Sequence, residues 1–142
     1  MKIYFAGSIK GGRGDQETYA LIVNILKKHG TVLTEHVADK RLTNQGEITE
    51  TVTDEFIFGR DVSWLRDSDV LVAEVTTPSL GVGYEIGLAE SIKKPIVCLF
   101  RKIDGRSVSA MISGNKAIKI YTYNNSEELL GILDGYFSNL SN

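Results

Sequence analysis

Apolar and polar positions change period repeatedly along this chain. Short continuous apolar runs, such as Ile3-Tyr4-Phe5-Ala6 and Val70-Leu71-Val72-Ala73, alternate with longer stretches in which apolar residues recur every three or four positions. The runs at residues 2–6, 31–34, 70–73, 95–100 and 116–121 predict strands. Helices are predicted from Asp15 to His29, from Asp54 to about Ser68, around Glu85 to Ile92, and from Ser126 to Leu140. The first has Tyr19, Ile22, Ile25 and Leu26 as its stripe and Gly30 as its stop. The last has Ser126 as cap and Leu129, Leu130, Leu133 and Phe137 as its stripe. A weaker pattern from Val108 to Ile112 predicts a short helix. Asp39 to Thr53 is polar and without period, which predicts a long binding loop or lid.

Strands that alternate with helices, several of them apolar throughout, predict parallel strands covered on both faces. The expected architecture is α/β: a three-layer, Rossmann-like (flavodoxin-like), doubly wound parallel sheet of five strands. The 142 residues form one domain, 1–142, without repeat or linker. Ligands of such sheets bind at the carboxyl ends of the strands. That edge gathers Gly7 to Gly12, the turn from Ser79 to Gly83, and the residues after Phe100.

A formal net charge of -2 argues against a dedicated nucleic-acid binder, which shows a basic surplus or stripe. No apolar run approaches membrane-spanning length, and no leader pattern opens the chain, so a cytoplasmic protein with no membrane partner is expected. Cys98 is the single cysteine and lies in an apolar run, which predicts a core residue. Lys27, Lys28, Lys93 and Lys94 sit near predicted helix ends, where cations favour the dipole.

Residues 78–87, Pro-Ser-Leu-Gly-Val-Gly-Tyr-Glu-Ile-Gly, carry the clearest chemistry. A turn with Ser79, Gly81 and Gly83, then Glu85 in the first turn of the next helix, describes an anion site with a carboxylate beside it. Val82, Leu88, Ala89 and Ile92 share the helical face of Glu85, so it is expected to point inward. Asp61 repeats the pattern, because Ile57, Phe58, Val62, Trp64 and Leu65 define an apolar face around it. Two inward carboxylates can serve as nucleophile and general acid. The glycine turn Gly7-Ser8-Ile9-Lys10-Gly11-Gly12 lacks the Gly-Lys-Ser/Thr ending of a Walker A loop and the dinucleotide spacing. Its hydroxyl and cation, Ser8 and Lys10, still suit a phosphate. His36 is near the same edge; His29 closes a helix and needs no function. No cluster has metal-ligand spacing, so neither a metal nor another cofactor is expected.

Taken together, the motifs resemble the 2'-deoxynucleoside 5'-monophosphate N-glycosidases (the Rcl family) of the nucleoside 2-deoxyribosyltransferase superfamily. The matching stretches are Tyr-Phe-Ala-Gly-Ser-Ile-Lys-Gly-Gly at 4–12, Gly-Thr-Val-Leu-Thr-Glu-His-Val at 30–37, Arg-Asp-Val-Ser-Trp-Leu at 60–65, residues 72–87, Leu-Phe-Arg at 99–101 and Ser-Ala-Met-Ile at 109–112. The resemblance implies hydrolysis of a deoxynucleoside monophosphate to free base and 2-deoxyribose 5-phosphate. It implies that Glu85 attacks C1', that Asp61 assists the departing base, and that Tyr4 orients the nucleophile. Ser8, Ser79 and Gly81 match positions that hold the sugar phosphate, Ile9 and His36 match positions lining the nucleotide pocket, and Gly7 is expected among the substrate-binding residues. Lys10 stands where mammalian members carry arginine, so a bidentate fork becomes a point charge. Ser109 matches a serine supplied by the neighbouring subunit, which implies a homodimer with shared active sites. The roles require an ionised Glu85, expected from its helix terminus, and a protonated Asp61, expected from burial. A base-exchanging deoxyribosyltransferase and a non-catalytic nucleotide sensor are the competing readings.

Overall fold

The computed structural model describes residues 1–9, 15–38 and 52–142. In chain order its elements are β1 (Lys2–Ala6), α1 (Gln16–Leu26), β2 (Thr31–Val32), a 3-10 turn (Glu35–Ala38), α2 (Asp54–Asp67), β3 (Val70–Glu74), α3 (Leu80–Ser91), β4 (Ile96–Arg101), α4 (Ala110–Ser113), β5 (Ile118–Tyr123) and α5 (Ser126–Leu140). All five strands pair in parallel, in the order β2-β1-β3-β4-β5. The order reverses between β1 and β3, and that switch point is where such sheets open a crevice for ligands.

The two-residue period of a strand sorts the core into two layers. Ile3, Phe5, Val70, Val72, Val97 and Leu99 pack with Tyr19, Ile22 and Leu26 of α1 and Leu129, Leu133 and Phe137 of α5. The intervening residues Tyr4, Ala6, Leu71, Ala73, Ile96 and Cys98 pack with Leu65 of α2 and Val82, Ile86 and Ala89 of α3. Alternation therefore sends Tyr4 toward α2 and α3, the helices that carry the two candidate carboxylates. Cys98 is buried, and burial pushes its thiol up to about 12, in keeping with a core role.

Several local expectations are corrected. The second strand stops at Val32 because Thr34 takes over β1's hydrogen bonding with its side chain: Thr34 Oγ1 accepts from the Phe5 amide at 2.8 Å and donates to the Phe5 carbonyl at 2.6 Å. The first helix ends at Leu26, with Lys27 to His29 in a turn, and the last strand runs two residues further, to Tyr123. The cap of α5 is Asn125, whose Oδ1 accepts from the Glu128 amide at 2.9 Å, while the Glu128 carboxylate accepts from the Asn124 amide at 2.7 Å. That reciprocal pairing satisfies two amides at once, which Ser126 inside the helix does not. Lys94 serves α2 rather than its own helix, donating to the carbonyls of Arg66 and Ser68. His29 stacks on Phe137 at 5.0 Å and meets Asp134 at 2.7 Å, a structural role. The predicted loop from Asp39 lies outside the described residues as far as position 51.

The larger correction concerns α3. Ser79 Oγ accepts from the Val82 amide at 3.3 Å, so the helix already starts at Leu80. Gly81 and Gly83 are helical rather than part of a turn, and Glu85 sits in the second turn, beyond the open amides of the first.

Candidate active site

Between α2, α3 and the carboxyl end of β1 lies a cavity of about 330 Å³. Its floor is Tyr4, Phe5, Ala6 and Gly7; α2 contributes Ile57, Phe58, Asp61 and Leu65; α3 and its cap contribute Ser79, Gly81, Val82 and Glu85; Ile9, Thr34 and His36 close the remaining side. Leu65 is the one fully buried residue of α2, with half-buried Trp64 packed beside it, so most of the expected apolar face around Asp61 is open to the cavity rather than buried. Phe58, expected on that buried face, is 56% exposed and meets Tyr84 of α3 edge-on at 6.2 Å across the mouth. That edge-to-face pair joins the two helices that hold the carboxylates.

Tyr4 is buried and its hydroxyl donates to Glu85 Oε1 at 3.0 Å. Burial pushes the Glu85 carboxyl up to about 7; the Asp61 charge adds to the rise and the Tyr4 hydrogen bond opposes it. Burial, helped by the charges of Glu85 and Asp61, drives the Tyr4 phenol far above its ordinary range, so it is a hydrogen-bond donor throughout the working pH range. The expectation that a helix terminus keeps Glu85 ionised is therefore overturned. Placed in the second turn against apolar walls, its carboxyl is ruled by desolvation.

Asp61 Oδ1 accepts from Arg60 Nε at 2.9 Å, so the carboxyl expected to be protonated is ion-paired. Arg60 also lies over the Trp64 ring at 4.9 Å and reaches 3.3 Å from His36 Nε2. His36 faces Trp64 at 5.7 Å. Arg60 escaped the sequence reading although it precedes Asp61 directly, because its neighbours are drawn from α2 and the 3-10 turn. Thr34 escaped it as well, its strand-like context hiding the side-chain bonds to β1.

Of the candidate residues, Tyr4, Gly7, Ile9, His36, Asp61, Ser79, Gly81 and Glu85 line the one cavity. Ser8 is fully buried beside it: its amide donates to the Tyr19 hydroxyl at 3.0 Å, and its own hydroxyl has no hydrogen-bond partner among the described residues. A Cβ on Gly7 would stand 3.0 Å from the Tyr19 ring, so a side chain at this floor position would have to push that ring aside by a few tenths of an ångström. Ser109 does not line the cavity of its own chain; it is exposed and caps α4 by accepting from the Met111 amide at 3.3 Å. Lys10 lies outside the described residues. Among the described residues no group of three His, Cys, Asp or Glu side chains could hold a metal, and no helix is long and apolar enough to cross a membrane.

A half-buried carboxyl raised toward neutrality, oriented by a phenol and sharing its cavity with a second carboxylate, is equipped for covalent and acid–base chemistry at one carbon. Known proteins resemble this chain over nearly its whole length. A 5-hydroxymethyl-dUMP N-hydrolase from Esox lucius is 50% identical over 144 residues, covering 99% of this chain and 99% of that protein. Its counterpart from Mus musculus is 51% identical over 138 residues, covering 95% of this chain and 79% of that protein. The solved structure of a Clostridium botulinum CMP N-glycosidase superposes with a TM-score of 0.67 over 96% of this chain and 99% of that chain, at 19% identity, and so shares the fold. The model of the nucleoside 2-deoxyribosyltransferase family matches residues 3–130, from β1 into α5. With that span and these relatives, the chain belongs to the nucleoside 2-deoxyribosyltransferase family.

Proposed function

We propose that this protein hydrolyses the N-glycosidic bond of 2'-deoxynucleoside 5'-monophosphates, 5-hydroxymethyl-dUMP among them, releasing the free base and 2-deoxyribose 5-phosphate. The observation that carries the reading is the 3.0 Å contact between the Tyr4 hydroxyl and Glu85, in a cavity that also holds Asp61. The relatives named as 5-hydroxymethyl-dUMP N-hydrolases support the substrate class.

In this mechanism an oxygen of ionised Glu85 bonds to C1' while the C1'–N bond breaks and its electron pair leaves with the base. In the reactive form the proton that burial favours on Glu85 sits instead on Asp61 Oδ2, the oxygen that Arg60 leaves open, and from there it passes to the departing base. Water then attacks C1' of the glutamyl ester, Asp61 takes the water's proton, and Glu85 is released as a carboxylate. Tyr4 steadies Glu85 in both steps. Ser79, Gly81 and Ser8, whose buried hydroxyl has no partner among the described residues, receive the phosphate with Lys10, since such a hydroxyl is costly unless a ligand pairs with it. His36 lies along the base.

Ser109 of a second copy completes the phosphate site, making the enzyme a homodimer with shared active sites. Support comes from the position of Ser109, which is exposed and lies outside the cavity of its own chain, and so is available to a second copy. A cytoplasmic location suits a lone cysteine buried in the core.

Incubation with a deoxynucleoside monophosphate, followed by chromatography of base and sugar phosphate, tests the reading. Mass spectrometry of the quenched enzyme should show a deoxyribosyl phosphate adduct on Glu85. Glu85→Ala that still releases base at the wild-type rate would overturn the assignment. Adding a second free base separates hydrolysis from exchange, because a transferase would return a new nucleotide as its main product.

A further inference from the structure

The two segments proposed to hold the phosphate are tied together by a polar cluster outside the cavity. Its centre is Asp15, a buried carboxylate immediately before α1. Asp15 makes no side-chain cap for its own helix; its carboxylate is turned toward the sheet instead. One oxygen is ion-paired with Arg101 at the carboxyl end of β4, and the other accepts from the Thr77 hydroxyl at 3.0 Å. The Arg101 amide donates to the Thr76 hydroxyl at 2.8 Å, and the Thr76 amide in turn donates to buried Glu74 at 2.6 Å. The link between β3 and α3 is thus held at two consecutive threonines, just ahead of Ser79.

The same helix that begins after Asp15 carries Tyr19, whose hydroxyl accepts from the Ser8 amide at 3.0 Å. A displacement of Asp15 would therefore be felt at Ser8 through α1 and at Ser79 through Thr77. An ion pair with one partner this buried, and further tied by a hydroxyl, is a costly way to gain stability alone. Fixing the geometry between two turns is a use that fits it better.

We propose that Asp15, Thr77 and Arg101 form a positioning clamp that sets the spacing of Ser8 and Ser79 and thereby the enzyme's affinity for the 5'-phosphate. None of the three is a catalytic residue; they act through the two serines. The inference rests on the phosphate roles given to Ser8 and Ser79 above.

Thr77→Val is the sharpest test, because it keeps shape and leaves the ion pair intact while removing one hydrogen bond. Calorimetric binding of a deoxynucleoside monophosphate and of the matching deoxynucleoside should be measured for the wild type, Thr77→Val, Thr77→Ser and Asp15→Asn. Thr77→Val should weaken the nucleotide roughly three- to tenfold, the usual worth of one such bond, and leave the nucleoside unchanged. Thr77→Ser should restore nucleotide binding, and Asp15→Asn should weaken it further with the same selectivity.

Wild-type nucleotide affinity in both Thr77→Val and Asp15→Asn overturns the clamp. So does an equal loss for nucleotide and nucleoside accompanied by a lower melting temperature, which is the mark of a purely structural cluster. A wild type that binds both ligands but releases no base defeats the proposed hydrolysis, while the binding ratios still decide the clamp. A wild type that binds neither ligand overturns both.

Discussion

Tyr4 and Glu85 lie 81 residues apart in sequence and 3.0 Å apart in space, the phenol donating to the carboxylate. The bond lowers a Glu85 carboxyl that burial has raised to about 7. Removing it with Tyr4→Phe should raise that carboxyl further. The acidic limb of kcat/KM, read as the ionisation of Glu85, should move to higher pH, with a loss of roughly tenfold at neutral pH that narrows toward pH 9. Rate profiles from pH 5 to 9 check this; an unmoved limb would mean that Tyr4 does not tune the nucleophile.

Asp61→Asn should move the same limb in the opposite direction, because the Asp61 charge adds to the rise at Glu85. Base departure should fall by roughly a hundredfold or more, as expected on losing a general acid. A substrate whose leaving group needs no proton should lose far less. Comparing ordinary and activated leaving groups across pH separates the two effects.

Glu85 also links stability to pH. Its carboxyl titrates near 7 in the folded chain against an ordinary value of 4.5, so the folded state keeps a proton that the unfolded state releases between those values. Stability from this group is full below about pH 4.5 and declines as pH rises through about 7. Glu85→Gln should flatten that decline and make the protein more stable at pH 8, by on the order of 2–3 kcal/mol. Denaturant melts at pH 5 and pH 8 provide the measurement.

The proposed sharing of active sites makes a sharp prediction for mixed dimers. Glu85→Ala and Ser109→Ala should each be inactive or nearly so. Unfolded together and refolded, they should recover on the order of a quarter of wild-type activity, since half the dimers are mixed and each carries one intact site. No recovery from mixed dimers would assign Ser109 to the site of its own chain, and a fully active Ser109→Ala would place it outside the site.

Gly30 offers a test of the scaffold away from the chemistry. A Cβ at that position would stand 2.4 Å from the Met1 carbonyl oxygen, backbone that also accepts from the Thr31 amide. Gly30→Ala should cost about 1–3 kcal/mol of stability while activity per folded molecule stays unchanged. Thermal melts alongside initial rates would show it.

Much of this architecture was legible in the order of the residues. The change between continuous apolar runs and three- or four-residue spacing marked the strands and the main helices, because those two periods reflect which faces are covered. The same alternation sends Tyr4 to the side of α2 and α3, and helical spacing turned Glu85 inward. Boundaries were less legible where a side chain competes with the backbone. Thr34 ends β2, Asn125 replaces Ser126 as a cap, and Ser79 starts α3 early enough to carry Glu85 into its second turn.

By itself, then, the sequence determined the α/β class, the edge of the sheet where the cavity opens, and the pair of carboxylates that face it. Tertiary structure alone decided the electrical state of Glu85 and the partners of both. Glu85 is held partly protonated near neutrality by walls drawn from β1, α2 and α3, and Arg60 meets both Asp61 and His36. The Asp15–Arg101 pair closes a separation of 86 residues. Periodicity reports which face a residue takes, whereas desolvation and Coulomb forces depend on distances that exist only once the elements have packed.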